Sequence, residues 1–328
     1  MERAIPKCRK EAFDSYIQRT KKDIESSLLE LCSTLSGFKL QKRVQDAILS
    51  PGKRLRPTLV ILAGEAVDGE RKKMIPLSLS YELVHTATLV HDDIIDQDEI
   101  RRDRPSLYKK WSVNDAILTG DTLIALAVEI ASGYGEVVLK NVARSALELC
   151  EGEFLDYAFD LEEVNEESYF RAISQKSASL FKSAAYCGGL VGDGDDLEIN
   201  ALSKFGENFG MAYQLKDDLL NLSSCSPLPS DIMNVRLTFP LVMLLNANNK
   251  YGIFKEDFES LRKRQNVDSG VIKKILMALK EEHITDRCDE KINEYVKNAI
   301  ECIEPLEDNE FKSYLVQLAR TLLAKDSL

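Results

Sequence analysis

The sequence is poor in residues that interrupt helices. It has nine prolines in 328 residues and none between positions 106 and 226. A proline in a helix interior costs about 3 kcal/mol, so that stretch is open to long helices. Paired cysteines are lacking as well. The seven cysteines (8, 32, 150, 187, 225, 288, 302) lie far apart, none in a C-x-x-C pair, and their number is odd. That argues against a zinc ribbon and against a secreted disulfide framework, and a reducing cytoplasm is expected. No apolar run approaches the roughly 20 residues of a spanning helix, so no transmembrane segment is expected. The first residues, MERAIPKCRKEAFDSYIQRTKKD, carry no apolar core of a signal peptide. Basic excess is absent too. Lys and Arg number 43 against 54 Asp and Glu, a net charge of −11. Nucleic-acid binding rests on phosphate neutralisation, so no nucleic-acid partner is expected.

What is present is a large apolar fraction, 44%, beside 30% charged residues, enough for both a core and a solvated surface. Apolar residues recur near every 3.6 positions in several windows. One is Leu79, Leu83, Ala87, Val90 and Ile94; a second is Leu147, Cys150, Phe154, Ala158 and Leu161; a third is Leu202, Phe205, Phe209, Ala212 and Leu219. No sustained alternation and no Asn-Gly hairpin signal occurs. The pattern predicts an all-α, multi-helix bundle in a single domain spanning 1–328. Loops are expected at 50–52, 67–69, 103–105, 192–196 and 223–230. Beyond Asn246, alternating charge predicts peripheral amphipathic helices.

The most informative segment runs from Glu82 to Pro105. Asp92 and Asp96 are four apart, which on a helix puts both carboxylates on one face, with Asp93 turned partly away. The cluster sits in an apolar helix, where like charges repel and are costly to bury without a counter-ion. Mg²⁺ resolves this, because it takes one or two carboxylates plus substrate phosphates. Taken alone, such a run is as readily a solvated acidic turn. Arg101 and Arg102 follow, and guanidinium forks beside carboxylates describe a diphosphate site. A second pair, Asp217-Asp218, again lies on an apolar helical pattern, with Asn221 four residues after Asp217.

The segment Ser-Pro-Gly-Lys-Arg-Leu-Arg-Pro (50–57) is a compact basic loop. Gly52 permits close backbone approach, and Lys53, Arg54 and Arg56 supply donors. Pro57 is expected to open the next helix at its first position, adding an anion-binding helix N-terminus. A second anion site implies a second phosphorylated substrate. His85 and Lys176 lie in apolar helices. A lone histidine there is more often a core residue, and a lysine usually reaches outward. His91 is read as structural, the scattered aromatics as core, and the cysteines as small buried hydrophobes.

These residues, in this order and spacing, resemble the trans-type isoprenyl diphosphate synthases. The resemblance runs from about Pro51 to Pro240. It rests on Gly-Lys-Arg-Leu-Arg-Pro (52–57), Glu-Leu-Val-His-Thr-Ala-Thr-Leu-Val-His-Asp-Asp-Ile-Ile-Asp (82–96), Arg101-Arg102, Gly120-Asp121, Lys176-Ser-Ala, Tyr213-Gln214 and Asp217-Asp218.

The resemblance implies an all-helical bundle around a deep central cavity, usually a homodimer. It implies up to three Mg²⁺ ions, two on Asp92 and Asp96 and a third on Asp217. Arg101 and Lys176 would contact an allylic diphosphate. Lys53, Arg56, His85 and Arg102 would hold isopentenyl diphosphate, with Gly52 near it. Ser177 and Gln214 would face the developing carbocation, and Arg236 stands where the family usually has a lysine. The implied reaction is ionisation of the allylic C–O bond and attack by the isopentenyl double bond. Ala87 and Thr88, five and four residues before Asp92, are small where a Phe or Tyr would block chain growth. A product of twenty carbons or longer is therefore expected, with the floor at Tyr81, at Val84 or within 123–130.

Besides Arg236, three departures bear on the second cluster. Asn221 replaces an Asp, the Gly-Lys-rich loop is replaced by 223–230, and Glu153 replaces a common glutamine. They raise a rival reading, a weakly active or inactive regulatory subunit of a hetero-oligomeric synthase. A terpene cyclase is a second rival, and the complete basic loop argues against it.

Overall fold

The computed structural model describes residues 7–161, 163–223, 236, 238–246, 269–281 and 283–324. The expected loop at 223–230 falls almost wholly outside them. As expected from the periodicity, the chain is all-α. Its described residues fall into two compact units, each built from several stretches of chain.

The first unit comprises Met1–Ala146, Leu180–Gly206 and Cys302–Leu318. Its helices include α1 (Lys7–Thr34), α2 (Gln41–Ile48), α3 (Leu55–Glu65) and α4 (Arg71–Ile95). A short α5 (Leu107–Lys110), α6 (Val113–Ser132), the first half of α7 (Glu136–Tyr157), and α9 (Ser179–Val191) from Leu180 onward follow. Helix α4 packs chiefly against α6 and α3. The first apolar window explains why: Leu79, Leu83, Ala87 and Val90 are all buried on α4. Fully buried Tyr81 donates its hydroxyl to the Ser183 carbonyl on α9 at 3.0 Å. A polar network joins α1 to α3 and α4: Tyr16 Oη donates to Glu65 Oε2 at 2.6 Å, and Arg71 bridges Glu65 and Asp23, each at 2.8 Å. Burial of such charges is tolerable only because every one is paired. His91 lies against Gly120, with its Nε2 3.3 Å from the Ile117 carbonyl.

The second unit comprises Leu147–Ser179, Glu207–Glu301 and Ala319–Leu328. It holds the rest of α7, then α8 (Glu166–Ile173), whose start is secured by a reciprocal capping box between Asn165 and Ser168. A π-helical turn, Ser174–Ala178, follows. Helix α10 (Asp196–Ser223) enters this unit at Glu207. Helix α11 (Phe239–Asn246) packs on α8 and on α12 (Ser269–Glu281), and α13 (Ile284–Cys302) completes the unit. An aromatic cluster of Tyr169, Phe170, Phe239 and Tyr295, with ring centroids 5.1–6.2 Å apart, ties α8, α11 and α13 together. Where they are described, α12, α13 and α14 (Glu310–Thr321) are amphipathic, as the charge pattern beyond Asn246 predicts.

Four expectations need correction. Helix α3 begins at Leu55, so Pro57 is its third residue, not its first. Position 57 is still in the first turn, where an amide N–H would have no partner within the helix, so proline, which carries none, fits there. Second, a two-residue hairpin without Asn-Gly joins β1 (Ile100–Arg101) to β2 (Arg104–Pro105). Arg102 and Asp103 both take positive φ, 53° and 60°, the twist such a turn demands. Third, the window from Leu147 to Leu161 is not one buried face. The helix stops at Tyr157, and Leu147, Cys150, Phe154 and Tyr157 are exposed. Fourth, not all cysteines are buried small hydrophobes: Cys32, Cys187 and Cys288 are, and Cys150 is not.

Candidate active site

In the first unit the chemistry gathers at the C-terminal end of α4. Asp92 and Asp96 are half-buried and one turn apart, with Asp96 capping the helix. Asp93 is buried between them in sequence but faces away. It accepts from Arg101 Nε at 2.7 Å and pairs with Nη2 at 2.5 Å. Burial pushes the Asp93 carboxyl up, and the Arg101 charge opposes that shift. Arg101 also lies 3.5 Å from Asp98. The hairpin that carries Arg101 is thus docked on the acidic helix by its own guanidinium.

The basic loop closes on the same helix. Arg54 takes a left-handed conformation, φ 55°, immediately before α3. Its guanidinium is ion-paired with Glu82 of α4. Arg56 Nη1 lies 3.2 Å from His85 Nε2, and its guanidinium sits 4.3 Å from the Phe181 ring centre, a cation–π geometry. His85 is held well below the usual imidazole pKa by burial, then by the charges of Arg56, Arg102, Arg54 and Arg101. It therefore stays neutral and can accept from Arg56. Arg102 donates to the Pro51 carbonyl. A Cβ on Gly52 would meet Arg102 Nη1 at 2.7 Å, so glycine is what lets the guanidinium lie against the loop. Lys53 is exposed. The structure thus brings Gly52, Arg56, His85 and Arg102 together, with Lys53 on the same loop.

The chain-length candidates lie on α4 below the aspartates. At 3.6 residues per turn, Thr88, His85 and Tyr81 fall on the face of Asp92, and Ala87 and Val84 lie round the helix from it. Ala87, Val84 and Tyr81 are buried, and Thr88 is half-buried with its hydroxyl donating to the His85 carbonyl at 2.8 Å.

The second unit holds the second constellation. Lys176 and Ser177 sit in the π-helical turn, a local widening that often marks functional segments. Lys176 does not simply reach outward. Its Nζ lies 2.9 Å from Glu153 Oε2 and pairs with Asp156 as well, both on α7. Gly152 admits this approach, because a Cβ there would collide with the Lys176 backbone. Ser177 Oγ donates to Gln214 Oε1 at 2.5 Å, and Gln214 Nε2 donates to Asp218 Oδ1 at 2.8 Å. Asp218 is buried and also accepts from the Tyr169 hydroxyl and from Phe239 N, the latter at 2.9 Å. Burial raises its carboxyl to about 7 against the pull of these three donors. Asp217 and Asn221 are half-buried, four residues apart on α10 and hence on one face. Arg236 is half-buried.

Several partners escaped the sequence reading. Glu82 with Arg54, Tyr169 with Asp218, and Asp156 with Lys176 carry the sites from behind. The available signal was an acidic or hydroxyl-bearing residue inside an apolar helical pattern, which burial obliges to find a partner.

The donor set also bears on metal binding. Among the described residues, no three His, Cys, Asp or Glu side chains stand close enough to cage an ion. Asp92 and Asp96 offer two carboxylates at one helix end, and Asp217 offers one. That suits Mg²⁺, which keeps waters and completes its shell with substrate phosphates, better than a fully protein-bound ion.

The chain is similar to several known proteins. Residues 39–279 match the family model for polyprenyl synthetase. A geranylgeranyl diphosphate synthase of Methanosarcina mazei is 30% identical over 322 residues, covering 94% of this chain and 97% of that protein. A short chain isoprenyl diphosphate synthase of Methanothermobacter thermautotrophicus is 30% identical, covering 92% and 95%. The crystal structure of a geranylgeranyl pyrophosphate synthetase from Pyrococcus horikoshii superposes with a TM-score of 0.85 at 30% identity, covering 97% of this chain and 99% of that one.

Proposed function

The chain belongs to the polyprenyl synthetase family, and we propose that it condenses isopentenyl diphosphate with an allylic diphosphate to give a product of twenty carbons or longer. The observation that carries this reading is the convergence on α4 of two different anion-handling groups. Asp92 and Asp96 stand at its end, and the basic loop docks on its middle through Arg54 and Arg56.

Asp92 and Asp96 would hold Mg²⁺, and Asp217, with the Asn221 amide beside it, a further ion. When bound, Mg²⁺ neutralises the departing diphosphate and so favours ionisation of the allylic C–O bond. In this reading Arg101 binds the diphosphate held by the first unit, and Lys176 is the candidate diphosphate-binding cation of the second. Lys53, Arg56, Arg102 and neutral His85 orient isopentenyl diphosphate, with Gly52 allowing the close approach, and hold its double bond for attack. Ser177 and Gln214, hydrogen-bonded to each other, are the groups this reading assigns to the developing positive charge, and Arg236 contributes one more cation. Apolar helix faces exclude water that would quench the carbocation. The departed diphosphate can accept the final proton. The family match runs through segments of both units.

We read the chain as a cytoplasmic homodimer. No described helix is long and apolar enough to cross a membrane, and Cys32, Cys187 and Cys288 are buried and unbridged among the described residues. Val113, Ile117, Leu118 and Val128 are exposed on α6. Leu147, Phe154 and Tyr157 are exposed in the second unit's part of α7. Rows of this kind, at helical spacing, are what a helix–helix contact between subunits needs.

Incubation with Mg²⁺, labelled isopentenyl diphosphate and allylic primers of several lengths, followed by sizing of the products, tests the reading. Asn221 favours the regulatory-subunit alternative. An inactive purified chain that changes a partner synthase's product length would establish it.

A further inference from the structure

We propose that Arg54 and Glu82 are a positioning pair for the isopentenyl diphosphate half of the site, and that Arg54 holds the basic loop without itself binding substrate. The proposal rests on reading that loop as the second anion site.

The first support is where the Arg54 guanidinium goes. It is ion-paired with Glu82, the two side chains being 3% and 5% exposed. Its Nη2 donates to the carbonyls of Ile48 at 2.9 Å and Ser50 at 2.8 Å. One side chain therefore gathers the end of α2, the start of the loop and the middle of α4. Its neighbours differ: Lys53 is exposed, and Arg56 is directed at His85 and Phe181.

The second support is the backbone. Arg54 is a non-glycine residue at φ 55° and ψ 35°. Such a conformation is unfavourable and persists only where surrounding contacts hold it. The bonds from its own guanidinium are those contacts. Because Arg54 stands between Lys53 and Arg56, its backbone sets the direction of both.

The third support is register and charge. Glu82 lies one turn before His85 on α4, so the pair fixes the loop against the helix face that carries His85. The Glu82 carboxylate also offsets the Arg54 charge, which otherwise adds to Arg56, Arg102 and Arg101 around His85. Packing does not substitute for the ion pair. A cavity of about 270 Å³ lies beside it, lined by both residues and by Thr86, Asp93 and Arg101, and Arg54 Nε has no partner among the described residues. The alignment is therefore ionic rather than steric.

The test uses the full-length chain with Glu82→Gln, Arg54→Met, Arg54→Lys and the double variant Glu82→Gln/Arg54→Met. Steady-state KM is measured for isopentenyl diphosphate and for the allylic primer, with hydrogen exchange of amides 49–58. Glu82→Gln and Arg54→Met are each expected to raise the isopentenyl diphosphate KM by about tenfold or more, to change the allylic KM by less than about twofold, and to be no worse combined. Arg54→Lys should fall between Arg54→Met and the parent. Exchange at 49–58 should quicken in both single variants while α6 stays protected. If Arg54→Met raises the isopentenyl diphosphate KM and Glu82→Gln does not, Arg54 is itself a ligand and the proposal fails. Equal rises in both KM values overturn it too. A parent chain that condenses nothing defeats the functional reading instead; unchanged exchange in Glu82→Gln then still overturns the clasp.

Discussion

Gln214 reaches Asp218 across 2.8 Å with its amide nitrogen, and so presents its oxygen to Ser177 at 2.5 Å. The carboxylate decides which end of the amide faces which partner, because only the nitrogen can donate to it. Asp218 is in this sense the residue behind Gln214. Asp93 stands in the same relation to Arg101 in the other unit. In both acidic pairs the second aspartate is buried and the first is half-buried.

Replacing Asp218 by alanine removes the acceptor of Tyr169, Gln214 and Phe239 N together. Buried donors left unsatisfied cost about 1–3 kcal/mol each, partly relieved by rearrangement. We expect a loss of about 3 kcal/mol in urea unfolding, with turnover falling more than the loss of folded protein explains. A variant with the parent's unfolding midpoint and rate would contradict this placement.

Removing divalent metal with a chelator is expected to abolish condensation, and added Mg²⁺ to restore it. Asp92→Ala and Asp96→Ala should each lower turnover by about a hundredfold or more. Asn221→Asp adds one carboxylate beside Asp217 and should shift the Mg²⁺ titration to lower concentration. An unchanged titration curve argues against a role for that face in metal binding.

Product length offers a third check. Thr88→Phe lies on the Asp92 face of α4 and should shorten the product. Ala87→Phe lies round the helix and should act more weakly, at some cost in stability because Ala87 is fully buried. Tyr81→Ala should lengthen the product if its ring forms the floor. Chromatographic sizing of the chains reads all three, and an unaltered distribution in Thr88→Phe places the growing chain elsewhere.

His85 predicts a pH effect. Burial and four arginines hold it neutral, below the usual 6.5. The unfolded chain takes up a proton there as pH falls through about 6.5, and the folded chain does not until lower pH. Its contribution to stability is thus complete above that range and is lost toward acid. His85→Gln, which cannot titrate, should show a shallower fall in Tm between about pH 7 and about pH 5. Parallel curves would mean that His85 titrates normally.

The Tyr16 network gives a stability prediction remote from the chemistry. Tyr16→Phe loses the 2.6 Å bond to Glu65 while Arg71 remains paired with it. A decrease of about 1–2 kcal/mol is expected, with the same denaturant slope and unchanged kinetics.

The helical class, the placement of α4 and α10, and the aspartates worth examining were all legible in the sequence. Spacing near 3.6 and the lack of proline are local properties, and they dictate local structure. The same rule misread the apolar row from Leu147 to Leu161, because periodicity reports that a face is apolar and not what covers it. It also could not say that Arg54 turns inward while Lys53 stays exposed, or that Lys176 meets Glu153 and Asp156. Those choices depend on groups 20 to 30 residues away in the chain, brought near by packing alone. The residue types fixed which charges the molecule owns. Only the folded chain decided which of them neutralise one another, because a buried charge must take its partner from whatever the fold sets beside it.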